Sequence, residues 1–296
     1  MGARGAAVVG VVAALLVACG SDGRGPASPP LPRSGGPTTA APESDVGRVD
    51  ELLAPVGLSV DRSLALPGSD ERIFVVVVAG EDAVEAWTAA RELVPVTGRY
   101  PVLATELDTT LGNATYAVDE LGMTVDDVLA RAAVVDTGDW FAARPGELEL
   151  EGYDVELRAE PPLPDYDYPK DQFTVGRDIL TGEPVDRVEL ALLPTSRGWE
   201  APSYLLWGGW NDVPMPEELT AIFRRWYDDY GAEVVTMTGD VVEMAVGDPP
   251  NDDDEAIDLA RQQFLVAPDI VWQGTGDLSV LASAVLDAPV WYFWWD

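Results

Sequence analysis

The 296-residue chain contains no histidine, one cysteine (Cys19) and one lysine (Lys170). The absence of histidine excludes His-based catalytic triads, histidine general bases and histidine metal ligands. A single cysteine excludes an internal disulfide and a zinc site made of several thiolates. An enzyme with this composition would have to rely on carboxylates, hydroxyl groups, arginine or Lys170. We therefore expect no metal centre and no cofactor, and the composition favours a protein without catalytic activity.

A short apolar run leads to Cys19. Residues 6–18 follow Arg4 and are apolar, but the run is shorter than the roughly 20 residues that a membrane-spanning helix needs. The sequence Leu16-Val17-Ala18-Cys19 resembles the lipobox that ends a bacterial lipoprotein signal peptide. This resemblance implies that residues 1–18 are removed and that Cys19 carries a diacylglyceryl anchor of the palmitate type. The alternative is an ordinary secretory signal in which the cysteine is incidental.

The residues after Cys19 indicate a tether. Residues 20–43 are rich in Gly, Pro, Ser, Thr and Ala, a composition that cannot bury a core. The sequence therefore predicts a disordered, partly extended tether over residues 19–43. At about 3 Å per residue, this tether would hold the folded part roughly 60 to 70 Å from the membrane. We expect a lipid-anchored protein on the extracytoplasmic face of the cell membrane.

The chain is strongly acidic, with 52 acidic residues against 18 basic ones and a net charge of −34. So few cations cannot form the basic face that binds nucleic acid, which excludes nucleic-acid partners. Anionic lipid surfaces should repel the protein too, so its membrane contact should come from the lipid anchor alone. The bias towards Arg over Lys, with many Ala, Gly, Val and Pro residues, is typical of a high-GC actinobacterium.

Apolar periodicity predicts a mixed α/β fold, with a mixed sheet flanked by helices after the disordered tether. Residues 72–79 form a continuous β-branched run, residues 83–93 a helical pattern and residues 100–104 a second strand, which together suggest a β-α-β unit. A Pro-, Tyr- and Asp-rich stretch at 160–171 predicts a long loop. We expect an N-terminal α/β region over 44–186 and a C-terminal α/β domain over 187–296.

The second half has clearer patterns. Apolar residues recur at helical spacing through 216–230, with Pro216 at the first position and Gly231 just past the end. The remaining predicted elements are a strand at 188–193, a hairpin of 233–237 and 241–246, helices capped by Thr124, Asn251 and Asp277, a helix at 45–53, and a final strand at 290–295.

Residues 187–296 resemble the bacterial domain of unknown function 4253. The closing aromatic run, Trp291-Tyr292-Phe293-Trp294-Trp295-Asp296, is one of several motifs that occur in the family's order. The resemblance implies an α/β domain with no settled activity. Family members often carry Tyr-Cys before the Pro-Asp pair, whereas this chain has Val266-Ala267. The other motifs are Trp207-Gly208-Gly209-Trp210-Asn211, Arg225-Trp226-Tyr227, Tyr230-Gly231-Ala232-Glu233, Thr238-Gly239-Asp240, Pro249-Pro250, residues 260–264, Pro268-Asp269-Ile270-Val271 and Gln273-Gly274.

Eight of the ten tryptophans follow residue 186, and two interpretations of them stay open. In the first, they fill a core in a domain without disulfides. In the second, aromatic and polar side chains line a groove for a sugar or peptide. Asp296 is then either paired with Arg224 or Arg225 or exposed at the strand end. The candidate binding residues are Trp207, Gly208, Gly209, Trp210, Asn211, Arg224, Arg225, Gln273, Trp294, Trp295 and Asp296.

Acidic residues are the catalytic candidates of an alternative, enzymatic interpretation. Asp240, Glu243 and Asp269 lie within the family-like motifs and would be the carboxylates of a hydrolase, if two of them faced one cleft. The alternation of Asp165, Asp167 and Asp171 suggests a calcium loop, but the EF-hand glycine and closing glutamate are missing.

The leading hypothesis is therefore a lipid-anchored binding or interaction module with an unknown protein or glycan ligand. An immunity-like role would be one case, suggested by the acidity and the envelope address. The alternative is a carboxylate-based hydrolase that acts on an envelope polysaccharide.

Overall fold

The computed structural model describes residues 45–105, 107–152, 155–178 and 180–296. The predicted signal peptide, Cys19 and the tether over 19–43 lie outside these ranges. Within them, no helix is both long enough and apolar enough to cross a membrane. The strands are β1 (Arg62–Ala65), β2 (Arg72–Val78), β3 (Tyr100–Ala104), β4 (Val188–Leu193), β5 (Ala232–Met237), β6 (Val241–Val246) and β7 (Val290–Trp294).

Helices flank these strands along the chain. They are α1 (Asp45–Leu53), α2 (Ala83–Glu92), α3 (Val94–Thr97), α4 (Leu107–Leu121), α5 (Val125–Ala132), α6 (Thr137–Leu150), α7 (Ala201–Leu205), α8 (Pro216–Tyr230), α9 (Asp253–Val266) and α10 (Leu278–Val285), with a π-helix at Ile270–Thr275 and 3-10 turns at Ala54–Val56, Gly80–Asp82 and Gly198–Glu200.

The described strands form one seven-stranded sheet in the order β1-β2-β4-β3-β5-β6-β7. Neighbours run antiparallel except for β3 and β5, which run parallel. This arrangement confirms the predicted mixed α/β class with a mixed sheet. Strands from both sides of residue 187 contribute to the same sheet.

The β2-α2-β3 stretch forms the predicted β-α-β unit, but its two strands are not neighbours in the sheet. Strands β2 and β3 run in the same direction because each pairs antiparallel with β4, which lies between them. All six residues of β4 and all five of β3 are buried. This burial on both faces explains why β3 and β4 are apolar apart from Glu189.

Helix α8 has the predicted bounds. Its apolar stripe is buried, with Ile222, Phe223 and Trp226 at most 1 % exposed. Burial of each such side chain contributes roughly 1.5–3 kcal/mol. Gly231 ends the helix in the left-handed region at φ 63°, a conformation that glycine adopts without steric cost.

Some predicted details are wrong. Helix α9 is capped by the side chain of Asp252, which accepts from the Glu255 amide, and not by Asn251. The sequence patterns did not predict strand β1 or helices α4 and α6. Helix α6 even contains Pro145, and α4 is rich in Thr, Gly and Asn, which are weak helix formers.

A long segment without helices, residues 155–178 and 180–187, joins α6 to β4 and includes the predicted loop at 160–171. Side chains from the C-terminal helices bond its main chain. Arg261 donates to Leu157 O (3.0 Å) and Ser283 donates to Pro164 O (2.7 Å). In the other direction, Lys170 Nζ donates to Leu286 O at 2.7 Å. These bonds fix the irregular segment against the body of the protein.

A buried ion pair joins α2 to β5. The guanidinium of Arg91 donates two hydrogen bonds of 2.8 Å, from Nε and Nη2, to the carboxylate of Glu233. The side chains are only 3 % and 9 % exposed. Two-point pairing satisfies both ions, which is the condition for tolerating buried charges.

Replacing Arg91 alone should therefore be costly. We expect Arg91→Met to lower the free energy of unfolding by about 3–5 kcal/mol, because Glu233 would stay buried without a counter-ion. Urea denaturation measures the change. The double variant Arg91→Met/Glu233→Met should recover most of the loss.

The control is Arg224→Met. Arg224 is 62 % exposed and 4.0 Å from Asp228, so its loss should cost less than about 1 kcal/mol. Equal effects of the Arg91 and Arg224 variants would contradict the importance assigned to the buried pair.

Candidate functional site

Three separated motifs meet at one surface, which we call the C-terminal patch (Asn211, Asp269, Gln273 and Asp296). The Gln273 side-chain amide donates to Asp269 Oδ1 at 2.9 Å and to Asp296 Oδ2 at 3.3 Å. The Asp296 main-chain amide donates to Asp269 Oδ2 at 2.9 Å, and Asn211 Nδ2 donates to Asp296 O at 2.9 Å. The patch is therefore a connected network, which includes two side-chain carboxylates.

A tight loop positions Asn211. Gly208 and Gly209 both have positive φ (131° and 81°), and a Cβ on Gly208 would lie 2.3 Å from Pro214 O. Only glycine fits there. Asn211 itself has φ 46°, a region that asparagine tolerates better than most residues. The two glycines thus serve the turn and leave Asn211 exposed at its tip.

The π-helix at Ile270–Thr275 positions Asp269 and Gln273. Asp269 precedes its first residue, and the two side chains bond each other across four positions. Single turns of π-helix are rare and are found frequently at functional sites. Sequence reasoning placed Asp269 in a family-like motif and among the candidate catalytic acids, but it did not predict the hydrogen bond to Gln273.

A cluster of indole rings lies beside the patch. Trp207 contacts Trp210 and Trp295 edge to face, with ring centroids 4.7 and 5.3 Å apart. Trp207 and Trp295 are only 3 % and 2 % exposed. Their N–H groups donate to Thr238 O and Val266 O, respectively. Because these two rings are buried, they cannot line an open groove, and the core interpretation holds for them.

Trp210 and Trp294 are half-buried, but they do not lie together. In β7, Trp291 and Phe293 pack against Trp226 of α8. Since successive strand residues point to opposite faces, Trp294 lies on the other face of the sheet. The structure therefore brings Trp207, Trp210 and Trp295 together and separates Trp294 from them.

The arginines considered as partners of Asp296 have other contacts. Arg224 lies 4.0 Å from Asp228 and Arg225 lies 3.5 Å from Asp229, both within α8. Arg225 also lies over the ring of Phe141, 5.5 Å from its centroid. Asp296 is bonded by the amides of Asn211 and Gln273 instead.

The candidate catalytic carboxylates have unlike environments. Glu243 is fully buried and accepts the main-chain amides of Thr174 (2.5 Å) and Val175 (3.2 Å). Burial raises the pKa of Glu243, and the hydrogen bonds oppose that shift. Asp240 is exposed in the β5–β6 turn. Glu243 therefore fastens the irregular segment to the sheet and has no path to a substrate.

The predicted aspartate loop offers no metal site. In the described residues, no group of three or more acidic, histidine or cysteine side chains is placed to hold a metal. Lys170, in the same loop, lies 5.7 Å from the ring centroid of Tyr166. Partial burial lowers the pKa of Lys170, and the charge of Asp287 opposes the shift.

All four patch residues lie in a segment that a family model recognises. Residues 189–296 match the model described as domain of unknown function (DUF4253). The match confirms the resemblance seen in the sequence. Comparison with curated proteins gives no match, and neither does comparison with solved structures. The DUF4253 segment starts within β4 and includes the loop of Asn211, the π-helix and β7.

The chemistry of the patch follows from its hydrogen bonds. The Gln273 and Asn211 amides donate within the network, so the carboxylates of Asp269 and Asp296 give the surface an excess of acceptors. An acceptor-rich surface beside a half-buried indole suits a ligand that donates hydrogen bonds, such as an amine, a guanidinium or a sugar.

Proposed function

We propose that this protein is a binding module held by lipid at the extracytoplasmic face of the cell membrane. Its contact surface is the C-terminal patch, and its ligand is a donor-rich group on a partner protein or a glycan. The observation that carries the proposal is the convergence of Asn211, Asp269, Gln273 and Asp296 from three separated motifs. Because residues from distant parts of the segment form one network, we infer that they act together as one binding surface.

Charge favours a basic partner. The net charge of −34 repels anionic ligands and speeds the approach of cationic ones. Neutralisation of a basic secreted protein, an immunity-like role, is one function that fits. The structure does not support the hydrolase alternative. Glu243 is buried and accepts main-chain hydrogen bonds, and both oxygens of Asp269 already accept hydrogen bonds from Gln273 and Asp296.

The proposed membrane localisation depends on Cys19. We expect Cys19→Ser to remove the lipid mass that the wild type carries and with it the detergent-phase partitioning that the lipid causes, because the lipid-carrying thiol is lost. Fractionation with detergent phase partitioning and intact mass measures the change. A wild-type protein that lacks a lipid mass, or a variant that still carries one, would contradict the anchor.

The patch predicts a second result. A panel of cell-wall glycan fragments and basic secreted proteins is tested by biolayer interferometry against the wild type. For any ligand found, Asp269→Asn should weaken binding about tenfold or more, because a hydrogen bond to a charged group is worth about 1.5–3 kcal/mol.

The matched control is Asp228→Asn, which removes an acidic charge from the exposed face of α8 and should leave affinity within about twofold. Equal weakening by both variants would show that only net charge matters. The absence of any ligand, together with turnover of an envelope polysaccharide, would contradict the binding function.

A further inference from the structure

A groove lies at the opposite edge of the sheet from β7, between the edge strand β1 and helix α4. It has a volume of about 480 Å³, within the range of roughly 300–1,000 Å³ that is typical of ligand sites. Leu64, Pro67, Leu111 and Val118 give it an apolar lining. It shares no residue with the C-terminal patch and therefore does not depend on the function proposed for the patch.

Strand β1 presents main-chain groups beside this groove. Leu64 pairs with Ile73 of β2, and Leu66 N donates to Glu71 O at 3.2 Å. By the alternation of antiparallel ladders, the main-chain groups of Ser63 and Ala65 then point away from β2. Arg72 caps Ser63, donating to its Oγ at 2.7 Å and to its main-chain oxygen at 3.0 Å. Ala65 is the position where an added strand would pair.

Helix α4 keeps the groove open with a glycine. Gly112 lines the groove within the helix, where glycine is less stable than alanine. Its backbone does not need glycine, because φ is not positive and an added Cβ would meet nothing within 4 Å. A side chain at this position would occupy the groove. One helical turn further on, Tyr116 is 65 % exposed.

Carboxylates mark the two ends of the helical wall. Asp108 and Asp119 both line the groove, and their separation of eleven residues corresponds to about 16 Å along a helix. Asp108 also pairs with Arg62 of β1, which donates to its Oδ2 at 3.4 Å, but the Asp108 side chain stays 74 % exposed. A strand of five residues spans about 13 Å between its first and last Cα atoms, and lysine side chains extend that reach. Asp119 therefore favours a basic side chain at one end of an extended peptide. At the other end, the exposed Asp108 carboxylate can accept a second basic side chain in addition to Arg62.

We propose that this groove binds an extended, basic peptide segment of a partner protein. The segment adds to the edge of β1 by main-chain hydrogen bonds at Ala65. A central apolar side chain enters the groove, and flanking basic side chains reach Asp108 and Asp119. This is the strand-addition mode of recognition, in which the main chain gives affinity and a pocket gives specificity.

The test uses the full-length protein and a fluorescein-labelled peptide, Lys-Val-Leu-Val-Lys, with capped ends, in fluorescence anisotropy at low salt. We expect saturable binding that weakens as salt rises, and at least tenfold weaker binding of Glu-Val-Leu-Val-Glu. Gly112→Trp should fill the groove and abolish binding, whereas Gly112→Ala should retain it.

Gly146→Trp is the matched control, because Gly146 is a helix-interior glycine of α6 whose Cβ would also meet nothing within 4 Å. It should bind the peptide like the wild type, and thermal unfolding should show all three variants folded. Equal binding by Gly112→Trp and the wild type would overturn the proposal. So would binding of dodecanoate in place of the peptide, or a dimer that Gly112→Trp disrupts in the absence of peptide.

Discussion

The pairing of β4 with both β2 and β3 is the constraint on which the rest of the structure depends. Strand β4 is the first strand of the DUF4253 segment, yet both of its neighbours in the sheet precede residue 187. The parallel contact of β3 with β5 then carries the sheet on to β6 and β7. The buried pair of Arg91 and Glu233 joins the same two stretches through α2 and β5.

The C-terminal patch lies at the far end of this arrangement. Its residues are held by β7, by the π-helix and by a loop whose glycines fit no other residue. Buried rings of Trp207 and Trp295 pack beside it. A rigid aromatic base under an acceptor-rich surface limits the conformational entropy that binding would cost. Trp207 and Trp295, which the sequence analysis considered as lining a ligand groove, are therefore part of the buried core beside the patch.

Local patterns predicted much of the fold. The stripe of α8, the β-branched run of β2 and the hairpin of β5 and β6 are properties of short stretches, and the structure has them where the sequence indicated. The insertion of β4 between β2 and β3 could not be predicted, because it depends on pairing between residues far apart in the chain. Strand β1 is only four residues long and carries no alternation strong enough to detect.

For the candidate site, too, some features could be predicted from the sequence and others depend on the tertiary structure. Composition excluded histidine chemistry and thiolate metal sites directly, and the motifs named all four patch residues. Which tryptophans are buried depends on face and depth, which a sequence does not contain. The sequence likewise does not reveal that Glu243 is buried and accepts the main-chain amides of Thr174 and Val175.

The most direct test of this account is the folding of the DUF4253 segment without the preceding region. Residues 187–296 alone would leave β4 with neither of its sheet partners and Glu233 without Arg91. We predict that this fragment shows no cooperative urea unfolding transition and no near-ultraviolet circular dichroism from fixed tryptophans, whereas residues 45–296 show both. A fragment that unfolds cooperatively with a native-like aromatic spectrum would contradict the central role of β4 pairing.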